Sequence, residues 1–338
     1  MTRNLPIFII LASLFLGGAY FLLSPKLGKL PTYNGPVQQI RLGVSKSAPQ
    51  LSTLIYMAES KGYFKENKLD VIIDIEPDST ASRKDVSSGK EDLATTSDFG
   101  FVGDSFLPND LRILAAISNT KLIEIVGRRD RGIVKPADLK GKKVALTQKS
   151  YSEFFFGEFL TLNGLNPSDV TFVAKNLDKV QEAIVGGEVD AAVTNDPFAY
   201  DIRKALGENV VDLPTPLGRN NNLLLITNVQ AIQSKPVEIE KFLAALIRAQ
   251  EFVITNPEDA KRTLVEKFKL DPTYFKQTWP KNTFTVTLDQ SLILQMEDEA
   301  VFSIKNGLTQ EKKVPSYLDF IYSDALQKVR PEAVNILR

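Results

Sequence analysis

The sequence predicts an α/β fold whose sheets are mostly parallel and flanked by helices. Between residues 40 and 228, short runs rich in β-branched residues alternate with segments of helical periodicity. From Pro236 onwards the periodicity is mainly helical, with Ile239, Phe242 and Leu246 on one stripe. The chain has 338 residues, enough for two domains and a sizeable core.

Each element has its own local evidence. Short apolar runs predict strands at 40–44, 69–76, 92–96, 111–117, 122–127, 143–146, 170–174, 189–194, 210–213 and 222–228. Periodic segments predict helices at 51–64, 82–88, 150–162, 178–186, 198–206, 236–256, 258–268, 288–306 and 317–328. Ser52 is a candidate cap for the first helix, and Asp178 with Gln181 has the spacing of a capping box.

Two absences restrict the chemistry. The chain has no cysteine, which excludes disulfides, thiolate nucleophiles and cysteine-bound metals. It also has no histidine, the usual general base and the commonest metal ligand. With 41 basic and 41 acidic residues, it has no net charge that would favour nucleic acid. We therefore expect a non-enzyme with no metal or cofactor.

The amino terminus predicts export. Residues 5–23 contain no charge, follow Arg3 and precede Lys26. Their inner part has the length of a signal-peptide apolar region, while all 19 residues are just long enough to span a bilayer. Residues 1–23 are thus a signal peptide or a membrane anchor. Residues 24–39, with three prolines and two glycines, form a linker.

Five stretches resemble one family when they are taken in order. They are LIYMAESKGYFKENKLDVII from Leu54, SSGKEDLAT from Ser87, IVKPADLKGKKVAL from Ile133, LTLNGLNPSDVTFV from Leu160 and AIVGGEVDAAVTNDPF from Ala183. Together they are similar to periplasmic substrate-binding proteins of ABC importers, in the branch that binds sulfonates, taurine, nitrate or thiamine-pyrimidine precursors. The resemblance covers roughly residues 40–328.

The resemblance implies a type II periplasmic-binding fold with two lobes and a hinge of two crossover strands. Residues 40–121 and 229–338 would form lobe 1, and residues 122–228 would form lobe 2. The ligand would bind in the cleft, and the lobes would close over it. The implied protein is a monomer outside the cytoplasm that delivers a small organic ligand to an ABC importer permease.

Four loops are candidate contacts, because ligands of open α/β sheets bind beyond the carboxyl ends of strands. The loops span 45–50, 78–82, 95–98 and 148–152. They supply most of the predicted ligand-binding residues: Ser47, Gln50, Thr80, Ser97, Ser150, Tyr151 and Ser152.

The fourth loop has two interpretations. Ser150 and Glu153 have the spacing of a capping box, which needs no ligand. A helix start also presents free amides and partial positive charge to an anion, with Lys149 nearby. Relatives place this loop against the ligand, which favours binding. Phe155, Phe159 and Leu162 share a helical face and are expected in the core.

Two further loops supply Asp196 and Asn222. Asp196 could accept from an amino group of the ligand or cap the next helix. Relatives often carry an aromatic residue at the position of Asn195, so stacking on a pyrimidine is in doubt. Arg219, just before Asn222, could pair with an anion or be an ordinary exposed arginine.

Two alternatives to transport remain. Some eukaryotic relatives make the thiamine pyrimidine with an active-site histidine, which this chain lacks. A ligand sensor would normally continue into an output domain, and none follows Arg338 in this sequence. The ligand itself is left open between a sulfonate-type anion and a pyrimidine-type molecule.

Overall fold

The computed structural model describes residues 30–46, 49–121, 123–148, 150–214 and 221–337. The strands are β1 Gln38–Ser45, β2 Leu69–Glu76, β3 Leu93–Ser97, β4 Leu111–Thr120, β5 Ile123–Arg128, β6 Lys143–Leu146, β7 Thr171–Ala174, β8 Ala191–Asn195, β9 Val210–Leu213, β10 Asn221–Asn228, β11 Asn282–Thr283, β12 Leu288–Asp289 and β13 Val334–Asn335. The helices are α1 Thr53–Ser60, α2 Tyr63–Glu66, α3 Ser79–Ser87, α4 Asp98–Ser105, α5 Tyr151–Leu162, α6 Leu177–Val185, α7 Phe198–Leu206, α8 Val229–Ser234, α9 Pro236–Thr255, α10 Pro257–Phe268, α11 Pro272–Thr278, α12 Gln290–Lys305 and α13 Asp324–Val329.

Two large sheets organise the described chain. The first sheet has the order β11-β4-β10-β3-β1-β2, and the second has the order β7-β6-β8-β5-β9. A short pair, β12 with β13, lies apart from them. From Tyr33 onwards the described residues belong to one compact unit. The predicted division into lobes at residues 122 and 228 stays a prediction.

The α/β class with helix-flanked mixed sheets is confirmed, but fewer strand pairs are parallel than expected. Of the ten described pairs, five are parallel and five antiparallel. Both β5 and β10 run antiparallel to each neighbour. A parallel pair needs a crossover within one sheet. The chain instead enters β5 from the first sheet and β10 from the second.

Buried apolar side chains hold helices against each of the two large sheets. In the first sheet, the fully buried Leu42 of β1 shares a core with Leu54 of α1 and Phe242 of α9. In the second sheet, Phe156 and Phe159 of α5 are fully buried against the strands. These apolar faces have the helical and alternating periodicity that the sequence shows.

Several local predictions are wrong. Leu162, expected in the core, is 70% exposed at the last residue of α5. Helix α6 begins after Asn176 without a side-chain cap, so the capping box at Asp178 does not define its start. Ser52 stands at the cap position of α1 but makes no capping hydrogen bond with its hydroxyl.

The predicted helix 317–328 is divided. A 3₁₀ turn spans Tyr317–Phe320, and α13 begins only at Asp324. Between them Tyr322 donates its backbone N–H to the carbonyl of Ile113 in β4, at 3.0 Å. Because this backbone N–H pairs with the sheet, it cannot take part in a helical hydrogen bond. The helix predicted from local periodicity is therefore interrupted at this position.

Helix α4 was not predicted, because its sequence DFGFVGDS contains two glycines that lower helix propensity. Gly100 packs closely against the side chains around it. A Cβ atom there would lie 2.6 Å from Nη1 of Arg83.

Among the described residues, no helix combines the length and apolar character needed to cross a membrane. The segment 5–23 lies outside those residues.

Candidate functional site

The start of α4 contains one of the predicted ligand-binding residues, Ser97. Ser97 caps the helix, since its Oγ accepts from the N–H of Gly100 at 3.0 Å. Arg83 reaches this region from α3 and donates from Nη1 to Thr96 Oγ1 at 3.0 Å. Its Nη2 lies 3.5 Å from Oγ1 of the exposed Thr80, and its Nε pairs with Asp104. Arg83 therefore places a cation beside the predicted residues Thr80 and Ser97. Arg83 was not identified as part of the site from the sequence.

Asp98, directly after Ser97, is fully buried. Its Oδ2 accepts from the backbone N–H of Asn222 at 3.0 Å and from Nδ2 of Asn222 at 2.8 Å. Gln295 Nε2 on α12 donates to the same oxygen at 2.7 Å. Burial raises the pKa of Asp98 to about 6, although the bonds from Asn222 oppose the shift. The predicted ligand residue Asn222 thus has a structural partner on α4.

A cavity of about 290 Å³ lies beside this network, between β4, β10 and the start of α12. Its polar lining includes Ser118, Asn119, Asn222, Thr285, Thr287, Asp289, Ser291, Gln295 and Asp298. That volume is near the lower limit for small-molecule pockets. Asn222 is the predicted residue that it contains.

The start of α5 is satisfied by the protein itself. Ser150 Oγ donates to the carbonyl of Thr147 at 2.6 Å and accepts from the N–H of Ser152 at 3.2 Å. The expected cap bond to the N–H of Glu153 is replaced by this bond to Ser152. Ser152 is also buried. Both serines therefore occupy positions set by the helix cap.

Aromatic rings cover the start of α5. Tyr151 is 8% exposed, and its ring centroid lies 5.9 Å from that of Phe99 in α4. Phe154 lies 5.0 Å from Phe302 in α12, which in turn lies 6.4 Å from Phe99. These rings join helices of the first sheet to the core of the second. We call Phe99, Tyr151, Phe154 and Phe302 the aromatic bridge.

The end of β8 differs from the start of α5 in the hydrogen bonding of its polar side chains. Asn195 Oδ1 and Asp196 Oδ1 are buried and have no hydrogen-bond partner among the described residues. Thr147 Oγ1, at the end of the neighbouring β6, is also buried and has no hydrogen-bond partner among the described residues. A buried acceptor without a donor carries a desolvation cost. These oxygens are thus available to a ligand that donates hydrogen bonds.

Asp196 is held by an ion-pair group. Its Oδ2 accepts from Lys281 Nζ at 2.7 Å, and Arg203 Nη1 lies 3.9 Å from its Oδ1. Lys281 and Arg203 both pair with Glu124 of β5, and Arg203 also pairs with Asp212 at 2.8 Å. Asp196 does not cap α7, whose start has no side-chain cap. The cap alternative is therefore wrong, and contact of Asp196 with an amino group of the ligand stays a prediction.

Lys281 links the two sheets, because it ends the 3₁₀ turn that leads into β11 of the first sheet. With Asp196, Gln50, Tyr274 and Asn282 it lines a space of about 20 Å³. That volume holds about one water molecule. Gln50 and Asp196 are thus brought together at a space too small for an organic ligand.

The predicted residues therefore fall into separate groups. Ser97 and Asn222 meet at Asp98, Ser150 to Ser152 lie at the aromatic bridge, and Gln50 lies with Asp196. Ser47 lies outside the described residues, as do Lys149 and Arg219.

Comparisons with known proteins agree with this architecture. The family model described as NMT1/THI5 like matches residues 50–260. The Saccharomyces cerevisiae protein described as 4-amino-5-hydroxymethyl-2-methylpyrimidine phosphate synthase THI13 is 24% identical over 227 residues, which cover 63% of this chain and 66% of that protein. The chain thus spans slightly less than two thirds of that relative.

Solved structures share the fold over most of the chain. The periplasmic aliphatic sulphonate binding protein SsuA from Escherichia coli has a TM-score of 0.72 at 19% identity, covering 86% of this chain and 93% of that one. The alkanesulfonate-binding protein SsuA from Xanthomonas axonopodis, bound to MOPS, has a TM-score of 0.65 at 16% identity, covering 86% and 100%.

Proposed function

The chain belongs to the NMT1/THI5-like family, and we propose that it is an extracytoplasmic solute-binding protein that captures a small organic ligand for an ABC importer. The family and the type II periplasmic-binding fold indicated by the sequence are both confirmed. The observation that carries the proposal is the set of buried acceptor oxygens at the end of β8, next to a small space between the sheets.

The residues favour capture over chemistry. Histidine and cysteine are absent from the whole sequence, so general base and nucleophile would have to come from other side chains. The similarity to a pyrimidine phosphate synthase makes synthesis the competing function. Detection of 4-amino-5-hydroxymethyl-2-methylpyrimidine phosphate by mass spectrometry in reactions of the purified chain would favour synthesis over capture.

The unpartnered acceptors suggest a ligand with N–H donors. Asn195 Oδ1 and Asp196 Oδ1 have no hydrogen-bond donor among the described residues, although Arg203 Nη1 lies 3.9 Å from Asp196 Oδ1 and Lys281 pairs with Asp196 Oδ2 at 2.7 Å. An aminopyrimidine or an amino-sulfonate could donate to both oxygens, whereas nitrate or a simple alkanesulfonate could not. We therefore propose that the ligand carries an amino or amidine-type group.

Binding requires the two sheets to separate at Lys281. The space beside Asp196 is about 20 Å³, far smaller than any of these ligands. Movement of Lys281 away from Glu124 and Asp196 would open it, and reclosure would report occupancy to the permease. The predicted hinge strands, near residues 122–127 and 223–228, would allow this motion.

A matched ligand panel tests the donor requirement. Taurine and ethanesulfonate differ by one amino group, and a 4-aminopyrimidine can be compared with its 4-hydroxy analogue. We expect an amino ligand to raise the melting temperature of the full chain by mass action, and its partner to have little effect. Equal shifts within both pairs would refute the donor requirement, and silence across the panel would refute these ligand classes.

Variants then locate the contact. We expect Asn195→Ala to weaken binding of the active ligand by about tenfold or more, since each lost bond to a buried group is worth about 1–3 kcal/mol. Glu208→Gln, an exposed change on the same sheet's periphery, serves as the control. An unchanged affinity in Asn195→Ala would place the ligand elsewhere.

The proposed location outside the cytoplasm rests on residues 1–23 as signal peptide or anchor. Fractionation of cells that express the full chain, with amino-terminal sequencing of the product, distinguishes the two. A shortened, soluble extracytoplasmic protein indicates cleavage, and a full-length membrane-bound protein indicates the anchor. Recovery in the cytoplasm would refute the proposal.

A further inference from the structure

The cavity of about 290 Å³ beside Asp98 is a second candidate site. Its described lining comes from the end of β4, the start of β10, the segment 285–289 and the first half of α12. The small space at Asp196 is lined by different residues, and among the described ones the two linings share none. A molecule in the larger cavity would therefore not occupy the proposed capture site.

Asn222 is the most informative residue of this lining, because its amide is held in one orientation. It is 4% exposed, and its Nδ2 donates to Asp98 Oδ2 at 2.8 Å. Gln295 Nε2 donates to the same carboxylate oxygen at 2.7 Å. Since the Nδ2 group faces the carboxylate, Oδ1 of Asn222 is the atom left to accept from a ligand. The buried network behind the cavity thus presents a fixed acceptor.

The start of α12 supplies hydrogen-bond donors to the same cavity. Among the described residues no side chain caps this helix, and Ser291 and Leu292 of its first turn line the cavity. The first amides of a helix have no partner within the helix. The hydroxyls of Ser291 and Thr285, both in the lining, can donate or accept. The cavity therefore combines donors with acceptors.

The carboxylates of the lining favour a neutral ligand. Asp289 accepts from two neutral groups, Thr287 Oγ1 at 2.7 Å and Asn335 Nδ2 at 3.0 Å, so its negative charge disfavours an anion. It directly precedes α12, whose positive end offsets its attraction for a cation. Asp298, the other carboxylate of the lining, is exposed to screening by solvent.

We propose that this cavity binds a small, neutral, polyhydroxylated molecule of about the size of a pentose or hexose. Hydroxyl groups donate and accept together, so they can pair with Asn222 Oδ1, with Asp289 and with the amides at the start of α12. The volume is near the lower limit for small-molecule pockets, which suits a single sugar ring or cyclic polyol. The site does not depend on the function proposed above.

Calorimetric titration of the full chain tests the proposal with molecules that differ in charge. The neutral probes are glucose, ribose and myo-inositol, and the charged counterparts of glucose are gluconate and glucosamine. We expect saturable binding of one neutral molecule in the millimolar range, with both charged counterparts at least about tenfold weaker than glucose if glucose binds. Calorimetry is preferred to melting temperature, because excluded sugars stabilise proteins without binding to a site.

Two variants locate the bound molecule. Ser291→Phe places a ring at an exposed position of the lining and should abolish binding. Ser168→Phe is the matched control, because it adds the same ring at an exposed position of a 3₁₀ turn beside the second sheet, and it should bind as the unchanged protein does. Thr285→Val removes one hydroxyl at similar size and should weaken binding by up to about tenfold.

Three results would overturn the site. They are no saturable binding of any neutral probe up to about 100 mM, equal binding by Ser291→Phe, and binding of a charged counterpart alone. If Ser291→Phe does not fold, equal affinity in Thr285→Val takes its place. Competition between a neutral probe and an amino ligand from the earlier panel would also overturn a separate site. Silence of that panel alongside saturable sugar binding would refute the proposed capture ligands and support this site.

Discussion

The loops after β6 and β8 lie side by side on the second sheet, but the hydrogen bonding of their polar groups differs. After β6, the hydroxyl of Ser150 donates to Thr147 and accepts from Ser152, and Tyr151 is covered by Phe99. After β8, Asn195 and Asp196 each keep a buried oxygen for which the described part of the chain supplies no hydrogen-bond donor. The loop with the stronger sequence motif is thus satisfied internally, while the loop with the weaker motif has acceptors available for a ligand.

This difference has a physical basis. A helix cap is a local structure, because its donors and acceptors lie within three residues of one another. Unsatisfied acceptors arise where strands from distant parts of the chain end together, and no local pattern reveals them. A motif that predicts a helix start therefore does not by itself predict a ligand contact.

The largest expected effect tests whether the start of α5 is core. Phe154→Ala should lower the free energy of unfolding by about 3–5 kcal/mol, because Phe154 is 7% exposed within the aromatic bridge. Leu162→Ala in the same helix is the control, with an expected change below about 0.5 kcal/mol at a 70% exposed position. Similar losses in urea denaturation of both variants would contradict the assignment.

The next effect is a pH dependence from Asp98. Burial raises its pKa from 3.8 to about 6, so the folded protein binds the proton more tightly than the unfolded chain. The free energy of unfolding should therefore fall as the pH rises from about 4 to 6, by on the order of 3 kcal/mol in total.

Asp98→Asn isolates this contribution. The variant should be less stable overall, because its amide has one acceptor oxygen where Asp98 has two, so the N–H of Phe99 or the donors of Asn222 and Gln295 lose theirs; its unfolding should lack this slope. Urea denaturation at pH 4.5, 5.5 and 6.5 provides the comparison. Parallel slopes in the variant and the unchanged protein would assign the pH dependence to another group.

A smaller effect concerns the contact between the sheets at Asp196. Lys281→Met should lower the free energy of unfolding by about 2 kcal/mol, because Glu124 and Asp196 keep their charges and lose a partner. Lys179→Met removes an exposed pair with Glu182 and should change it by less than about 0.5 kcal/mol. Equal effects would show that the Lys281 pairs are screened like surface pairs.

The smallest expected effect tests whether the loop after β6 serves as a helix cap or as a ligand contact. Ser150→Ala should cost about 1 kcal/mol of stability through loss of the cap, with ligand affinity unchanged. The measurement pairs urea denaturation with titration of whichever ligand the panel identifies. A tenfold loss of affinity would instead support the sequence-based prediction that the start of α5 contacts the ligand.

Most elements could be predicted from the sequence, because their periodicity reflects burial on one face. The strands at 143–146 and 210–213 and the helix at 198–206 have the predicted limits. Predictions were wrong where long-range pairing competes with local periodicity, as at Tyr322, which bonds to β4. They also missed α4, whose two glycines lower its helix propensity.

The candidate site was predicted as a set of loops but not as a set of contacts. Gln50 and Asp196 were both identified, since each follows a predicted strand. Their partner Lys281 was not, because it lies 85 residues beyond Asp196 and has no motif around it. Ligand contact by the other predicted residues stays a prediction.

The sequence by itself determined the α/β class, the family, the absence of histidine and cysteine chemistry, and the order of the elements. The class and the element order depend on local periodicity and the excluded chemistry on composition, whereas the family was indicated by the resemblance of five stretches to known proteins. Tertiary structure alone decided the rest. It brought Lys281 to Asp196 and left Asn195 Oδ1 buried without a hydrogen-bond donor from the residues that the structure describes. Burial and pairing depend on residues far apart in the chain, so only the folded arrangement specifies them.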